Sequence, residues 1–160
     1  MRTMFRKIYT LPVFMGLGLP LFILARARLF EPLTRFLARV DARIVLMMSG
    51  RRTPESPQEL AEEWNRLMPT PRSNFPILKS DDRTAYVEIR VRCPFRGTGD
   101  AEACWRAMEF DRELVGSIGG QLIVMESQSN SGKDYCSLAI RRSGDDLSDL
   151  EAAHPRWLSK

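Results

Sequence analysis

The chain has 160 residues, 44% of them apolar and 28% charged, with a formal net charge of +4. That is enough for one ordinary core with at most a helical appendage, and it excludes two large domains, wholesale disorder and a polytopic membrane protein. The charge is unevenly spread: residues 1–52 hold ten Arg or Lys against Glu31 and Asp41, a net of +8, which leaves −4 for residues 53–160. An acidic folded part argues against nucleic acid as a partner, because phosphate recognition needs clustered Lys and Arg. The basic end suits an anionic membrane surface instead. Three cysteines without CxxC spacing fit a reducing compartment, so a cytoplasmic location is expected, peripheral at the inner face of the membrane if the basic end engages it.

Residues 11–25 form an uncharged run of 15, short of the roughly 20 residues that a spanning helix needs. Pro12, Gly16, Gly18 and Pro20 weaken it further. Arg2, Arg6 and Lys7 precede it and Arg26 and Arg28 follow, so both flanks are positive. Residues 29–48 read as an amphipathic helix with Leu29, Leu33, Phe36, Leu37, Val40, Ile44 and Met47 on one stripe and Arg35, Arg39 and Arg43 on another. Residues 1–48 are thus expected either to lie on a membrane surface or to pack on the core or a partner, with spanning or export as the lesser alternative. A Gly- and Pro-containing polar stretch from Gly50 closes this extension at residue 52.

The next part, 53–142, is expected to carry the site. Ser56, Pro57 and Glu59 form a capping-box start to a helix whose apolar stripe is Leu60, Trp64, Leu67 and Met68. Pro69, Pro71 and Pro76 end it and impose an extended connection. Trp64 and Phe75 are core candidates first and pocket candidates second. Residues 84–93 alternate as a strand with Ala85, Val87, Ile89, Val91 and Cys93 on one face. Pro94 and the turn at 97–100 follow, with Thr98 and Asp100 as candidate caps for a helix over 101–118. Set on a helical wheel, Asp111 falls within the apolar stripe that contains Cys104, Met108 and Leu114. A carboxylate facing a core is costly unless bonded, paired or functional. The open alternative is that Asp111 sits at the edge of the stripe or pairs with Arg112 or Arg106.

Gly119 and Gly120 end that helix, and 121–127 and 135–142 read as a hairpin. A turn centred near Ser131 pairs Glu126 with Cys136, Val124 with Leu138 and Leu122 with Ile140. Cys93, Cys104, Asp111, Glu126 and Cys136 are then all expected to point into one partly apolar interior. A thiolate beside a carboxylate can attack an electrophilic carbon while the carboxylate moves protons. Alternatively, Cys104, Glu126 and Cys136 are a partial zinc set. Each cysteine taken singly is also an ordinary small buried residue.

The order of these landmarks, a strand ending in Cys93-Pro94, Cys104 on the next helix, Asp111, and a hairpin carrying Gly132-Lys133-Asp134-Tyr135-Cys136, resembles the L-2-amino-thiazoline-4-carboxylic acid hydrolase family. The resemblance implies a hydrolase that opens a cyclic amidine C–N bond in a small-molecule substrate without a cofactor. Cys93, Cys104, Asp111 and Cys136 would be catalytic, and Glu126 and Trp105 would bind substrate. The same stretch, through Cys104-Trp105, Val124-Met125-Glu126 and Gly132 to Cys136, is similar to the 4-vinyl reductase domain. That similarity implies a non-enzymatic small-molecule or zinc-binding module, with Ser129 where the domain offers a further cysteine.

Residues 143–160 read as an acidic, solvated tail that holds the chain's one histidine, His154, so neither a Cys–His pair nor a His-rich metal site is expected. The expected fold class is α+β: N-terminal helices, then a β-α-β-β unit whose antiparallel sheet is covered by helices. Oligomeric state is not set by the sequence.

Overall fold

The computed structural model describes residues 23–158. Eight regular elements follow in order: α1 (Glu31–Ser49), α2 (Pro57–Leu67), β1 (Ile77–Ser80), β2 (Ala85–Ile89), α3 (Ala101–Ala107), α4 (Glu109–Ser117), β3 (Gly120–Glu126) and β4 (Cys136–Arg142). The strands make one antiparallel sheet in the order β1-β2-β4-β3, so the class is α+β. β1 adds a fourth strand where the sequence suggests only an extended connection. It is a short edge strand, and the Asp81 carboxylate organises its turn to β2 by accepting from the N–H groups of Arg83 and Thr84.

Ser56 caps α2 as expected: its hydroxyl accepts from Glu59 N–H, and the Glu59 carboxylate accepts from Glu55 N–H. Leu60, Trp64 and Leu67 point from α2 onto the sheet face formed by Ala85 and Val87 of β2, Leu122 and Val124 of β3, and Leu138 and Ile140 of β4. Each of these large aliphatic groups contributes about 1.5–3 kcal/mol of burial. α4 covers β3 beside α2, through Leu114 and Val115. Gly120 makes this approach close, since a Cβ there would lie 2.8 Å from Val115 Cγ1.

Three expectations about the elements are corrected. The helix over 101–118 is interrupted at Met108, whose ψ of 7° divides it into α3 and α4. The strand from 84 ends at Ile89, so Cys93 sits in the following loop. The acidic tail is not a solvated appendage. Arg141, buried in β4, reaches both carboxylate oxygens of Asp149, 2.6 and 2.7 Å away, and Leu150 packs into the core. Ala153 N–H donates to Val124 O on the open edge of β3, and Arg156 then bridges Glu31 and Glu102. The segment thereby blunts an otherwise unpaired sheet edge.

α1 packs on α3 and α4 and shares the core, with Ala38, Ala42 and Val45 fully or almost fully buried. Its inward face, Thr34, Ala38, Asp41, Ala42 and Val45, is made of small residues and one carboxylate. The large apolar side chains of the expected stripe point the other way: Leu29, Leu33, Phe36 and Met47 are exposed. Small residues win the interface because they let two helix backbones approach closely, and the arginines secure it. Arg39 pairs with Glu109 at 2.7 Å and Arg43 with Glu113 at 3.3 Å. The uncharged run 11–25 lies, as far as residue 22, outside the described residues. No helix among those described is long and apolar enough to cross a membrane.

Candidate functional site

A cavity of about 230 Å³ opens where the C-terminal end of α2, the loop after β2, the α3–α4 junction and the start of β4 converge. Cys93, Cys104, Asp111 and Cys136 all line it, together with Met68, Thr70, Phe75, Met108 and Gln128. The volume exceeds the roughly 150 Å³ that accommodates benzene in an engineered apolar cavity, so it suits a monocyclic molecule rather than a nucleotide. Three larger depressions, about 530, 780 and 430 Å³, are lined mainly by polar and charged residues, among them Glu63 paired with Arg66 at 2.6 Å, and none contains a cysteine.

Asp111 enters the cavity from the first turn of α4. Trp64 Nε1–H, wholly buried on α2, donates to Asp111 Oδ1 at 3.0 Å. Besides this indole bond, Asp111 feels the charge of Arg112, one of its two expected alternative partners. Arg112 pairs with Glu109, and Arg106 donates to Ala25 O at 2.6 Å. Burial pushes the Asp111 carboxyl up to about 6, against the opposing pull of the Trp64 bond and the Arg112 charge. A carboxyl with that value is half protonated near pH 6 and mostly ionised at neutrality, which suits a general base that can hand its proton on.

The three cysteines are free thiols. Burial pushes Cys104 up to about 12 and Cys136 up to about 11, and raises Cys93 as well. Proton transfer from the Cys104 thiol to Asp111 would run about six units uphill, about 8 kcal/mol, before any bond formed. Burial thus favours the neutral thiols, which stand as polarisable cavity wall and hydrogen-bond partners, and the Asp111 carboxyl is the lining group raised toward neutrality.

Sequence reasoning missed the polar loop that holds these thiols. Ser127, Gln128 and Ser129 are all essentially inaccessible. Gln128 is the hub: its Oε1 accepts from Cys93 N–H at 3.1 Å, its Nε2 donates to Val91 O at 2.8 Å, and its backbone N–H donates to Cys136 Sγ at 3.4 Å. The Ser127 hydroxyl donates to Cys104 Sγ at 3.2 Å and lies 2.9 Å from the Ser129 hydroxyl. Such a satisfied buried network fixes the thiols in place. In contrast, the buried Thr70 Oγ1 on the cavity wall has no hydrogen-bond partner.

Two expected members lie elsewhere. Glu126 does not oppose Cys136, because a bulge at Met125 shifts it one residue to oppose Ser137. It turns outward and pairs with Lys133 Nζ at 2.6 Å. Trp105 is absent from the cavity lining and instead clasps three elements: the guanidinium groups of Arg35, Arg112 and Arg156 stand 5.4, 4.3 and 3.9 Å from its ring, and its Nε1–H donates to Arg156 O. With Glu126 outside, the zinc set of Cys104, Glu126 and Cys136 is not assembled. Among the described residues, no group of three or more His, Cys, Asp or Glu is arranged to hold a metal ion. No protein-family model, curated protein or solved structure matches the chain.

Proposed function

We propose that the cavity receives a small cyclic amidine or similar weakly basic heterocycle and that the chain opens its C–N bond by hydrolysis, with Asp111 as the proton-transfer group. The observation that carries this is a buried carboxyl, poised near pH 6 on an apolar cavity wall and oriented by a single indole N–H. In the ionised form Asp111 takes one proton from a water that adds to the amidine carbon and passes it to the ring nitrogen, giving a tetrahedral adduct. As the C–N bond breaks, Asp111 carries the adduct's hydroxyl proton to the same nitrogen, so both water protons end on the amine, the carbon keeps the oxygen as a carbonyl, and the carboxylate is left as it began. Arg92 is the one cation among the described lining residues, so it is the natural counter-ion for a substrate carboxylate. The proposed location is the cytoplasm, supported by three free cysteines.

The test is turnover of 2-amino-thiazoline-4-carboxylate by the purified protein and by Asp111→Asn, whose side-chain oxygen can still accept from Trp64. The expected result is a loss of about 10²–10⁴-fold in kcat with a melting temperature no lower than that of the wild type, since the variant also removes a buried charge. Equal turnover by the variant refutes the role given to Asp111. Cys104→Ser should retain most activity, whereas its complete loss would return the chemistry to a thiol nucleophile.

A further inference from the structure

The outward face of α1 is the largest apolar feature unexplained by the core or the cavity. Leu33, Phe36, Val40, Ile44 and Met47 recur at three- and four-residue spacing, so they form one stripe about 20 Å long. Phe36 is 62% and Met47 85% exposed, and the short helical segments leading into the helix add Leu29 at 86% and Ile23 at 68%. Isolated exposed apolar residues need no explanation, but a contiguous stripe on a helix whose other face is already packed does.

From this we infer that α1 and the short segments before it are a docking surface for an anionic lipid bilayer, with the helix lying in the interface plane and its outward stripe among the acyl chains. Two observations favour lipid over other occupants. First, the surface belongs to the basic third of the chain, net +8 over residues 1–52, while the remainder is net −4; Arg35, Arg39 and Arg43 are paired with Glu109 and Glu113, so the attraction rests mainly on the other seven cations of that third. An anionic surface attracts the first and repels the second, which orients the chain with α1 downward. A second copy docked on the same face would instead bring two strongly basic segments together. Second, the chain reaches Ile23 from a stretch of 12 uncharged residues, 11–22, with Arg2, Arg6 and Lys7 ahead of it. That composition matches an interfacial anchor rather than a linker to a soluble partner.

The helix is free to serve in this way because its inward contacts are independent of the stripe. Ala38, Ala42 and Val45 pack inward, and Arg39 and Arg43 are held by carboxylates of α4. The docking seat also adjoins the cavity, since Ala25 packs with Phe95, a lining residue, and Arg26 Nη2 donates to Pro94 O at 3.3 Å. Docking does not depend on what the cavity does.

The full chain should co-sediment with vesicles of phosphatidylcholine containing phosphatidylserine, more weakly with phosphatidylcholine alone, and less as salt rises. Leu33→Glu combined with Phe36→Glu should lower the partition coefficient for phosphatidylserine vesicles by at least about tenfold while the melting temperature holds, because both side chains are already in water. Failure of the wild-type chain to bind the anionic vesicles overturns the inference, as does equal binding by the double variant. A wild-type dimer that the double variant dissolves, without vesicle binding by either, overturns it in favour of a second copy.

Discussion

Asp41 offers a sharp test of how burial sets carboxyl behaviour in this fold. It is 1% exposed on the inward face of α1, and neither carboxylate oxygen has a hydrogen-bond partner. Burial pushes its pKa from 3.8 up to about 6. A carboxyl raised on folding holds a proton that the unfolded chain has already released, so its effect on stability is adverse once the pH exceeds the unfolded value. The loss accumulates between about pH 4 and pH 6 and is complete above that. About two units correspond to about 3 kcal/mol. Asp41→Ala removes this penalty and improves helix propensity by about half a kcal/mol, while the lost packing gives back roughly 1 kcal/mol. Urea denaturation at about pH 8 should therefore show a variant about 2 kcal/mol more stable than the wild type, and near parity at about pH 4. A variant that is less stable at the higher pH, or that keeps the full wild-type slope between the two, would refute the assignment.

Other substitutions probe the site and its frame. Trp64→Phe removes the N–H that favours ionised Asp111, so the acid limb of the turnover profile should move to higher pH by roughly one unit, and an unmoved limb contradicts the bond's role. With Cys104 at about 12, only about 10⁻⁴ of it is thiolate at about pH 8. Iodoacetamide labelling followed by peptide mass spectrometry should leave it unmodified when a small-molecule thiol has fully reacted, and comparable rates would contradict its burial as a neutral thiol. Two glycines should respond oppositely to alanine. Gly120→Ala forces a Cβ to 2.8 Å from Val115 Cγ1 and should cost about 1–3 kcal/mol, whereas Gly116→Ala, with open space around it in α4, should gain up to about 1 kcal/mol in thermal unfolding.

Much of the sheet and the site's inner half was legible because periodicity is a local property. Val124 opposite Leu138 and Leu122 opposite Ile140 follow from alternation alone, and they are the observed pairs. Asp111 could be placed inward from a helical wheel even though the helix breaks at Met108, because the break preserves the hydrogen bonds from Met108 N–H to Cys104 O and from Arg112 N–H to Met108 O. Glu126 was misplaced for the complementary reason: one extra residue in a bulge reverses every later parity assignment, and nothing in Val124-Met125-Glu126 announces it. The burial of Ser127 to Ser129 was hidden because polar residues look solvated until their partners, here cysteine sulfurs and strand-end backbone groups, are in place. α1 shows that apolarity alone does not choose the buried face. Its large side chains lost to Ala38 and Ala42, whose size suits close helix packing. The C-terminal segment carries many acids, yet its anchoring depends on one buried arginine, Arg141, three strands away in sequence order from β1 and adjacent to Thr84 through a 2.7 Å bond.

The proposed chemistry requires Asp111 to be a buried carboxyl that exchanges its proton near pH 6. Carbon-13 NMR titration of the aspartate side-chain carboxyls, with the Asp111→Asn spectrum supplying the assignment, measures this directly. The predicted result is a carboxyl titrating near 6 that vanishes in the variant. An Asp111 resonance titrating at the ordinary carboxylate value of about 4 would contradict it.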